Sequence, residues 1–384
     1  MGHWIFNDDH DLFRQSVKKF IENEITPHVR EWERAGGLPR SLHKRMGEMG
    51  YLGVKFPEEY GGSGLDAVTE AVLIEEITKC GAGGVSASLL SSPGIALTKI
   101  WLFGNDAQKE KYLTPGIQGE QISALAVTEP NGGSDVAGMK TTAKKSGDHY
   151  ILNGSKTFIT NGVNADFVIV AAKTAEKPKH RNISLFIVET DSEGYSVGKN
   201  LKKLGWRSSD TAELYFDQVK VPAENLIGNE NEGFRYIMQD FQYERIHMAL
   251  SSVALAELAL EETIKYSKER TQFNQPLAEF QVLRHKIVDM AVDIAKAKNI
   301  TYRALDLYNR NEDVVTHATM AKAYATEMVQ RVTDTAVQIH GGNGYMMEFP
   351  VQRYWRDARI QSIGGGTTEV MREILSKRLG IVTD

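Results

Sequence analysis

Ile122-Ser-Ala-Leu-Ala-Val127 marks the point where the patterning of the chain changes. Upstream, apolar residues recur at helical spacing: between Asp8 and Trp32, Leu12, Phe13, Val17, Phe20, Ile21 and Ile25 are separated by charges. From Ile122 onward the runs are short and rich in β-branched residues. Tyr150-Ile-Leu, Thr157-Phe-Ile-Thr160, Phe167 to Ala171, Ile183 to Val188 and Ala212 to Phe216 follow, with a further strand near Val219. Asn131-Gly-Gly, Ser146-Gly-Asp, Asn153-Gly, Asn161-Gly and Glu193-Gly separate them as turns, and Val221-Pro222 closes the set. The spacing predicts an antiparallel β unit within 122–232.

On either side the chain is helical. Residues 1–121 read as helices, including one through Glu70 to Lys79, two stretches bracketing Pro93 and a stop at Pro115-Gly116. From Gly233 helical spacing returns, with segments 233–269, 278–310 and 313–340 long enough for a bundle and a last helix at about 367–379. The fold class expected is mainly α with a central β domain: 1–121 helical, 122–232 β-barrel-like, 233–384 a four-helix bundle. There is no internal repeat and no low-complexity tract.

At 384 residues the chain is long for one core, and 41% hydrophobic with 25% charged residues is ordinary for a globular protein. A net charge of -5 gives no basic footprint for nucleic acid. No run of about 18 apolar residues spans a membrane. The acidic MGHWIFNDDHDLF start is neither a signal nor a transit pattern, so a cytoplasmic location is expected, with a mitochondrial one after removal of a transit peptide as the alternative. Cys80 stands alone, which excludes an internal disulfide and suits a reducing compartment.

Common catalytic motifs are missing. Gly154-Ser-Lys156-Thr is not a Walker loop, no G-x-G-x-x-G follows a strand, and Leu65 spoils a G-x-S-x-G reading of Gly62-Ser63-Gly64. No H-E-x-x-H and no cysteine pair offers a metal site. His285, His317 and His340 lack ligand spacing and read as structural. Lys173 to Arg181 reads as a solvated hairpin tip.

Further stretches carry a specific likeness. Val127-Thr-Glu-Pro-Asn-Gly-Gly-Ser-Asp135, Phe158-Ile-Thr-Asn-Gly162, Val337-Gln-Ile-His-Gly-Gly-Asn-Gly-Tyr345 and Arg356-Asp-Ala-Arg359 leading to Gly366-Thr-Thr-Glu369 stand in one order on an α–β–α pattern. Together they resemble the acyl-CoA dehydrogenase family across nearly the whole chain.

That resemblance implies FAD, bound without a nucleotide fold, and electrons passed to an electron-transfer flavoprotein. It assigns Val127, Thr128, Gly133 and Ser134 to the flavin edge, where glycine lets backbone N–H groups approach. Ser134 also meets the thioester ligand. Phe158, Ile159 and Thr160 flank the isoalloxazine, with Phe158 where many relatives have Trp. Arg270, Gln272, Phe273 and Gln281, with Gln338, Ile339, Gly341 and Gly342, match positions that reach the FAD of a neighbouring subunit, and Arg270 suits the pyrophosphate. The site is then complete only in an oligomer, usually a tetramer built as a dimer of dimers. Gly341 to Gly344 also suits a helix C-cap. Thr367 and Glu369 close the site at a helix N-terminus.

Family catalysis removes the pro-R α-proton while the β-hydride moves to the flavin. Most members carry the base as Glu in an E-G-T loop, but here Ile363-Gly364-Gly365-Gly366-Thr367 puts Gly365 in its place. Phe241-Gln-Tyr-Glu-Arg245 supplies the alternative, because the isovaleryl and long-chain types carry their base at the position of Glu244. Gly365 keeps the backbone N–H that meets the thioester carbonyl. Phe241, Tyr243, Arg245, Gly364 and Gly366 complete the expected substrate contacts, with Arg245 on the CoA portion. Burial should raise the pKa of Glu244. Glycines at 364 and 365 leave room near the reacting carbons, so long or β-branched acyl chains are expected. The rivals are a flavin oxidase or monooxygenase of the same fold and a non-catalytic flavin-binding homologue.

Overall fold

A computed structural model describes residues 3–382 with the exception of Lys177 and Lys179, so part of the expected tip at 173–181 lies outside the described residues. Helix α1 (Asp8–Phe20) starts at Asn7, whose side chain accepts from the His10 N–H. The single helix expected from Asp8 to Trp32 is interrupted. A π turn at Ile21–Ile25 and a 3-10 turn at Thr26–His28 separate α1 from α2 (Val29–Ala35), because Pro27 has no N–H to continue the ladder. There follow α3 (Arg40–Glu48), α4 (Ala67–Thr78), α5 (Gly83–Ser91), α6 (Leu97–Phe103) and the short α7 (Asp106–Gln108) and α8 (Thr114–Ile117). Helix α4 is buried at every position from Val68 to Thr78, as its lack of a polar face requires.

The middle domain is an eight-stranded sheet of β1 (Ser123–Ala126), β2 (Thr142–Ser146), β3 (His149–Thr160), β4 (Phe167–Lys173), β5 (Ile183–Glu189), β6 (Tyr195–Asn200), β7 (Thr211–Pro222) and β8 (Leu226–Ile227). The order is β6-β7-β3-β2-β4-β5-β8, with β1 beside β4. Two expectations change here. The sheet is mixed, not wholly antiparallel: β1 runs parallel to β4 with Ser123 opposite Phe167, and the β2–β3 hairpin lies within the crossover between them. Asn153-Gly154 is no turn. Strand β3 runs through it with a slip of register between Leu152 and Gly154, where φ is +150° and a Cβ would stand 2.7 Å from the Thr141 Cα.

Strand β4 is apolar on both faces because both are covered. Phe167, Ile169 and Ala171 face Leu97, Ile100, Tyr112, Leu113 and Ile117 of the N-terminal domain, whereas Val168, Val170 and Ala172 pack with Leu152, Leu214, Phe216 and Val219.

The C-terminal domain comprises α9 (Gly233–Glu269), a hairpin of β9 (Thr271–Gln272) and β10 (Gln275–Pro276), α10 (Gln281–Asn309), α11 (Val315–His340), α12 (Val351–Ala358) and α13 (Thr368–Arg378). Its core is continuous with that of α1, α4 and α5. The three domains meet at Asp357, which is fully buried on α12. Its carboxylate accepts from the Trp206 N–H at 2.7 Å and from the Gly83 N–H, at the start of α5, at 2.8 Å. No described helix is long and apolar enough to cross a membrane.

Candidate active site

Helix α9 carries Glu244 into the interior, where its residue is 9% exposed. Lys99, fully buried on α6, pairs with Asp240 and lies 3.8 Å from Glu244 Oε1. Asp240 and Glu244 are one turn apart on the same face of α9. Oε1 has no hydrogen-bond partner among the described residues. Burial pushes the Glu244 carboxyl up to about 7; Lys99 opposes that rise and Asp240 adds to it, with Arg245 and Lys55 opposing it further. A carboxylate held there suits proton abstraction near neutral pH.

One turn beyond Glu244, Met248 borders the glycine loop. A Cβ on Gly365 would stand 3.5 Å from Met248 Cγ, and one on Gly364 would stand 3.9 Å from Met248 Cε. The room beside these glycines is therefore flanked by a flexible thioether. Gly365 has φ +61°, which aims its N–H in a direction a residue with a Cβ adopts only with strain. Lys322 of α11 donates to the Gly366 carbonyl and so fixes the loop to the bundle. Thr319, one turn earlier on α11, accepts from Arg245 Nη1 at 3.5 Å. Arg245 is buried and its Nε has no partner among the described residues. A carboxylate oxygen and a guanidinium N–H on consecutive residues, both without hydrogen-bond partners among the described residues, fit a site whose remaining partners come from a ligand.

Phe241 is half-buried on the same apolar cluster as Trp101 and Val127. Tyr243 points elsewhere: its ring is buried against Tyr308 at 4.7 Å, with Lys55 over the face at 5.0 Å. His247, also on α9, is held neutral by burial, which lowers its pKa to about 4.

The loop that follows β1 is anchored from below. Lys156 of β3, fully buried, donates to the Val127 carbonyl at 3.0 Å and pairs with Glu129 at 2.9 Å. Glu129 also accepts from the N–H groups of Lys140 and Thr141, while the Thr128 carbonyl accepts from Thr157 N–H at 2.9 Å. Above these anchors Gly133 and Ser134 are exposed. On β3, a bulge between Lys156 and Ile159 throws Phe158 outward with φ +60° and 68% exposure, while Ile159 is buried and Thr160 half-buried. A bulky residue held in the left-handed region with its ring uncovered is a costly arrangement that a flat ligand would use.

The residues matched to a neighbouring subunit's cofactor lie on the outside of the bundle. Arg270, Gln272, Phe273 and Gln281 are all exposed, and Phe273 sits in the two-residue turn of the β9–β10 hairpin with φ +52°. Gln338 lines a cavity of about 300 Å³ with Lys286, Asp293 and Arg331. Ile339 is buried. Gly341 and Gly342 leave open space where a side chain would be. Thr367 caps α13 by accepting from the Val370 N–H, and with Glu369, Arg359 and Ser362 it lines a cavity of about 200 Å³. The open glycines, the uncovered Phe158 ring and the cavity beside the start of α13 fit a long, flat, phosphate-bearing cofactor.

Family models cover almost the whole chain: the acyl-CoA dehydrogenase N-terminal domain at residues 7–120, the middle domain at 124–219 and the C-terminal domain at 231–380. The chain belongs to the acyl-CoA dehydrogenase family. It is 40% identical over 378 residues to the mitochondrial long-chain specific acyl-CoA dehydrogenase of Mus musculus, covering 98% of this chain and 87% of that one. It is also 40% identical over 372 residues to the short-chain specific acyl-CoA dehydrogenase of Clostridium acetobutylicum, covering 97% and 98% respectively. A crystal structure of an acyl-CoA dehydrogenase complexed with FAD from Bacillus anthracis superposes with TM-score 0.92 at 34% identity, covering 98% of this chain and 68% of that one. This acyl-CoA dehydrogenase is an FAD-dependent oxidoreductase acting on the CH–CH bond of an acyl-CoA.

Lys99, Asp240, Met248, Lys322 and the Glu129–Lys156 pair were not among the residues singled out from sequence. Lys99 did leave a signal, as the only charge in the apolar stretch Leu97-Thr-Lys-Ile-Trp-Leu-Phe103.

Proposed function

We propose that Glu244 is the base that removes the α-proton of a long or β-branched acyl-CoA, giving the trans-2-enoyl-CoA. The observation that carries this reading is the pairing of a glycine at position 365 with a buried carboxylate oxygen on α9 that has no hydrogen-bond partner among the described residues. Bound FAD supplies the hydride acceptor. The protein's own groups do the rest. Glu244 takes the proton, and the Gly365 N–H donates to the thioester oxygen as that atom gains negative charge. Arg245 offers its free N–H to the CoA portion. Val127, Thr128, Gly133, Ser134, Phe158, Ile159 and Thr160 hold the flavin of the same chain. Arg270, Gln272, Phe273, Gln281, Gln338, Ile339, Gly341 and Gly342 serve FAD sites shared between subunits of a homo-oligomer, and Thr367 and Glu369 close the site at the start of α13.

The reading of acyl preference rests on the space at Gly364 and Gly365, where the nearest neighbours of an added Cβ are Met248 and Ile360, none closer than 3.5 Å. A 3-methyl branch or an extended chain can displace a thioether more easily than a branched side chain. An electron-transfer flavoprotein is the proposed acceptor, since electrons from a two-electron oxidation must leave the buried site. Turnover of CoA thioesters differing in chain length and 3-methyl branching, followed with a dye acceptor, tests the preference. Highest kcat/KM for long or 3-methyl substrates is expected; a sharp optimum at butyryl-CoA would overturn it.

A further inference from the structure

The interior face of α9 holds a charge that proton abstraction by a lone glutamate does not need. Lys99 and Asp240 are both buried, and they stand 141 residues apart on different helices. An ion pair removed from water is costly to bury, and apolar residues of the same size would fill the place more cheaply. Its third neighbour is the proposed base: Lys99 Nζ stands 3.8 Å from Glu244 Oε1, the oxygen with no hydrogen-bond partner. Asp240, on the same face of α9, is held by Lys99. The ammonium is therefore shared, bonded to one carboxylate and poised beside another.

We infer that Lys99 is a positioning residue for Glu244: anchored by Asp240, its ammonium stands behind the carboxylate, restricts its rotamer and sets how readily it gives up and takes a proton. This rests on the reading of Glu244 as the base. The competing charged groups are few. Arg245 comes from α9 itself and Lys55 from the segment before α4, where it pairs with Glu70 at 3.2 Å and covers the Tyr243 ring. Lys99 is the cation whose effect on Glu244 is largest, and Asp240 is the anion that opposes it.

The arrangement gives opposite effects for its two members, which general loosening of the fold would not. Removing the cation leaves Glu244 facing an uncompensated Asp240, so its carboxylate is harder to form. Removing the anion frees Lys99 to bond Glu244 alone, so its carboxylate is easier to form and a weaker base.

The test uses the FAD-loaded enzyme and an acyl-CoA, with kcat/KM followed against pH. In Lys99→Met the acid limb is expected to move up by about one pH unit, and in Asp240→Asn down by about one unit. Either single change could unfold the domain by leaving one buried charge alone. The double variant Lys99→Met with Asp240→Leu removes both charges and carries the test by itself. Its limb is expected above that of the parent enzyme, because Lys99 outweighs Asp240, and below that of Lys99→Met. Limbs that stay in place, or that move together in one direction in both single variants, would overturn the inference. Glu244→Gln separates the two readings. If that variant reduces its flavin at the parent rate, the base assignment itself fails; if it is inactive while the limbs stay fixed, only the role of Lys99 fails.

Discussion

Met248 Cγ stands 3.5 Å from the point a Cβ on Gly365 would occupy, and Met248 is one helical turn beyond Glu244 on the same face of α9. Through Met248, the helix face bearing the carboxylate meets the glycine loop. Glu244→Gly should slow flavin reduction by roughly 100-fold or more while FAD content stays at one per chain. Adding Gly365→Glu should return part of the rate. It should not return all of it, because φ +61° at residue 365 costs about 1–2 kcal/mol for a side chain and Met248 must shift. Single-turnover bleaching of the flavin absorbance, compared across the three proteins, checks this.

Glu244 also dictates a pH profile. Burial pushes its carboxyl up to about 7, so the ionised form that the proposed base needs is lost as pH falls through that value. Log kcat/KM should rise with unit slope below about pH 7 and level off above it. Stability runs the other way. The folded pKa lies above the ordinary value of 4.5, so between 4.5 and 7 the folded state binds more protons than the unfolded one, and stability falls as pH rises across that window. Glu244→Gln should therefore be more stable than the parent enzyme at pH 8 and nearly equal to it at pH 4.5, by denaturant titration.

Lys156→Met should strip the cation from a carboxylate that stays buried. Glu129 would keep only its two backbone donors, and loss of one partner from a buried pair costs about 3–5 kcal/mol. The Val127 carbonyl loses its donor in the same change. A lower denaturant midpoint and flavin lost during purification are the expected results; a midpoint like that of the parent would refute the anchoring role.

Phe158→Gly separates stability from cofactor retention. The ring is 68% exposed and sits at φ +60°, so glycine relieves strain while giving up little buried area. The melting point of the apoprotein should change by no more than about 1 kcal/mol equivalent. FAD dissociation, followed by the rise in flavin fluorescence, should become faster.

Asp357→Ala would orphan the Gly83 and Trp206 N–H groups that its two carboxylate oxygens serve. Each unsatisfied buried donor costs about 1–3 kcal/mol, so a loss of about 3 kcal/mol is expected in urea unfolding. Because these donors belong to different domains, the transition should also lose cooperativity.

Sequence alone made the helical–β–helical order legible, since helical and strand periods differ, and it pointed to Glu244 as the candidate base through the glycine at 365 and Phe241-Gln-Tyr-Glu-Arg245. It did not show the parallel pairing of β1 with β4 or the bulge that carries β3 through Gly154, because both depend on which strands meet in space. Pro27 was a readable break that the longer apolar repeat concealed. The environment of Glu244 was hidden for a similar reason. Lys99 is close to Asp240 only once α6 folds onto α9, and a lone lysine in an apolar helix does not name its partner. Tyr243 illustrates the converse: its place beside Glu244 in the chain turns its ring by about a quarter of a helical turn, onto Tyr308.

The most direct test of Glu244 as the base follows the α-proton itself. An acyl-CoA deuterated at the α-carbon is incubated anaerobically with the FAD-loaded parent enzyme and with Glu244→Gln, and mass spectrometry measures loss of the label to water. The parent enzyme should release deuterium, and the Gln variant should retain it while keeping its full flavin content. Release from the variant at the parent rate would contradict the account.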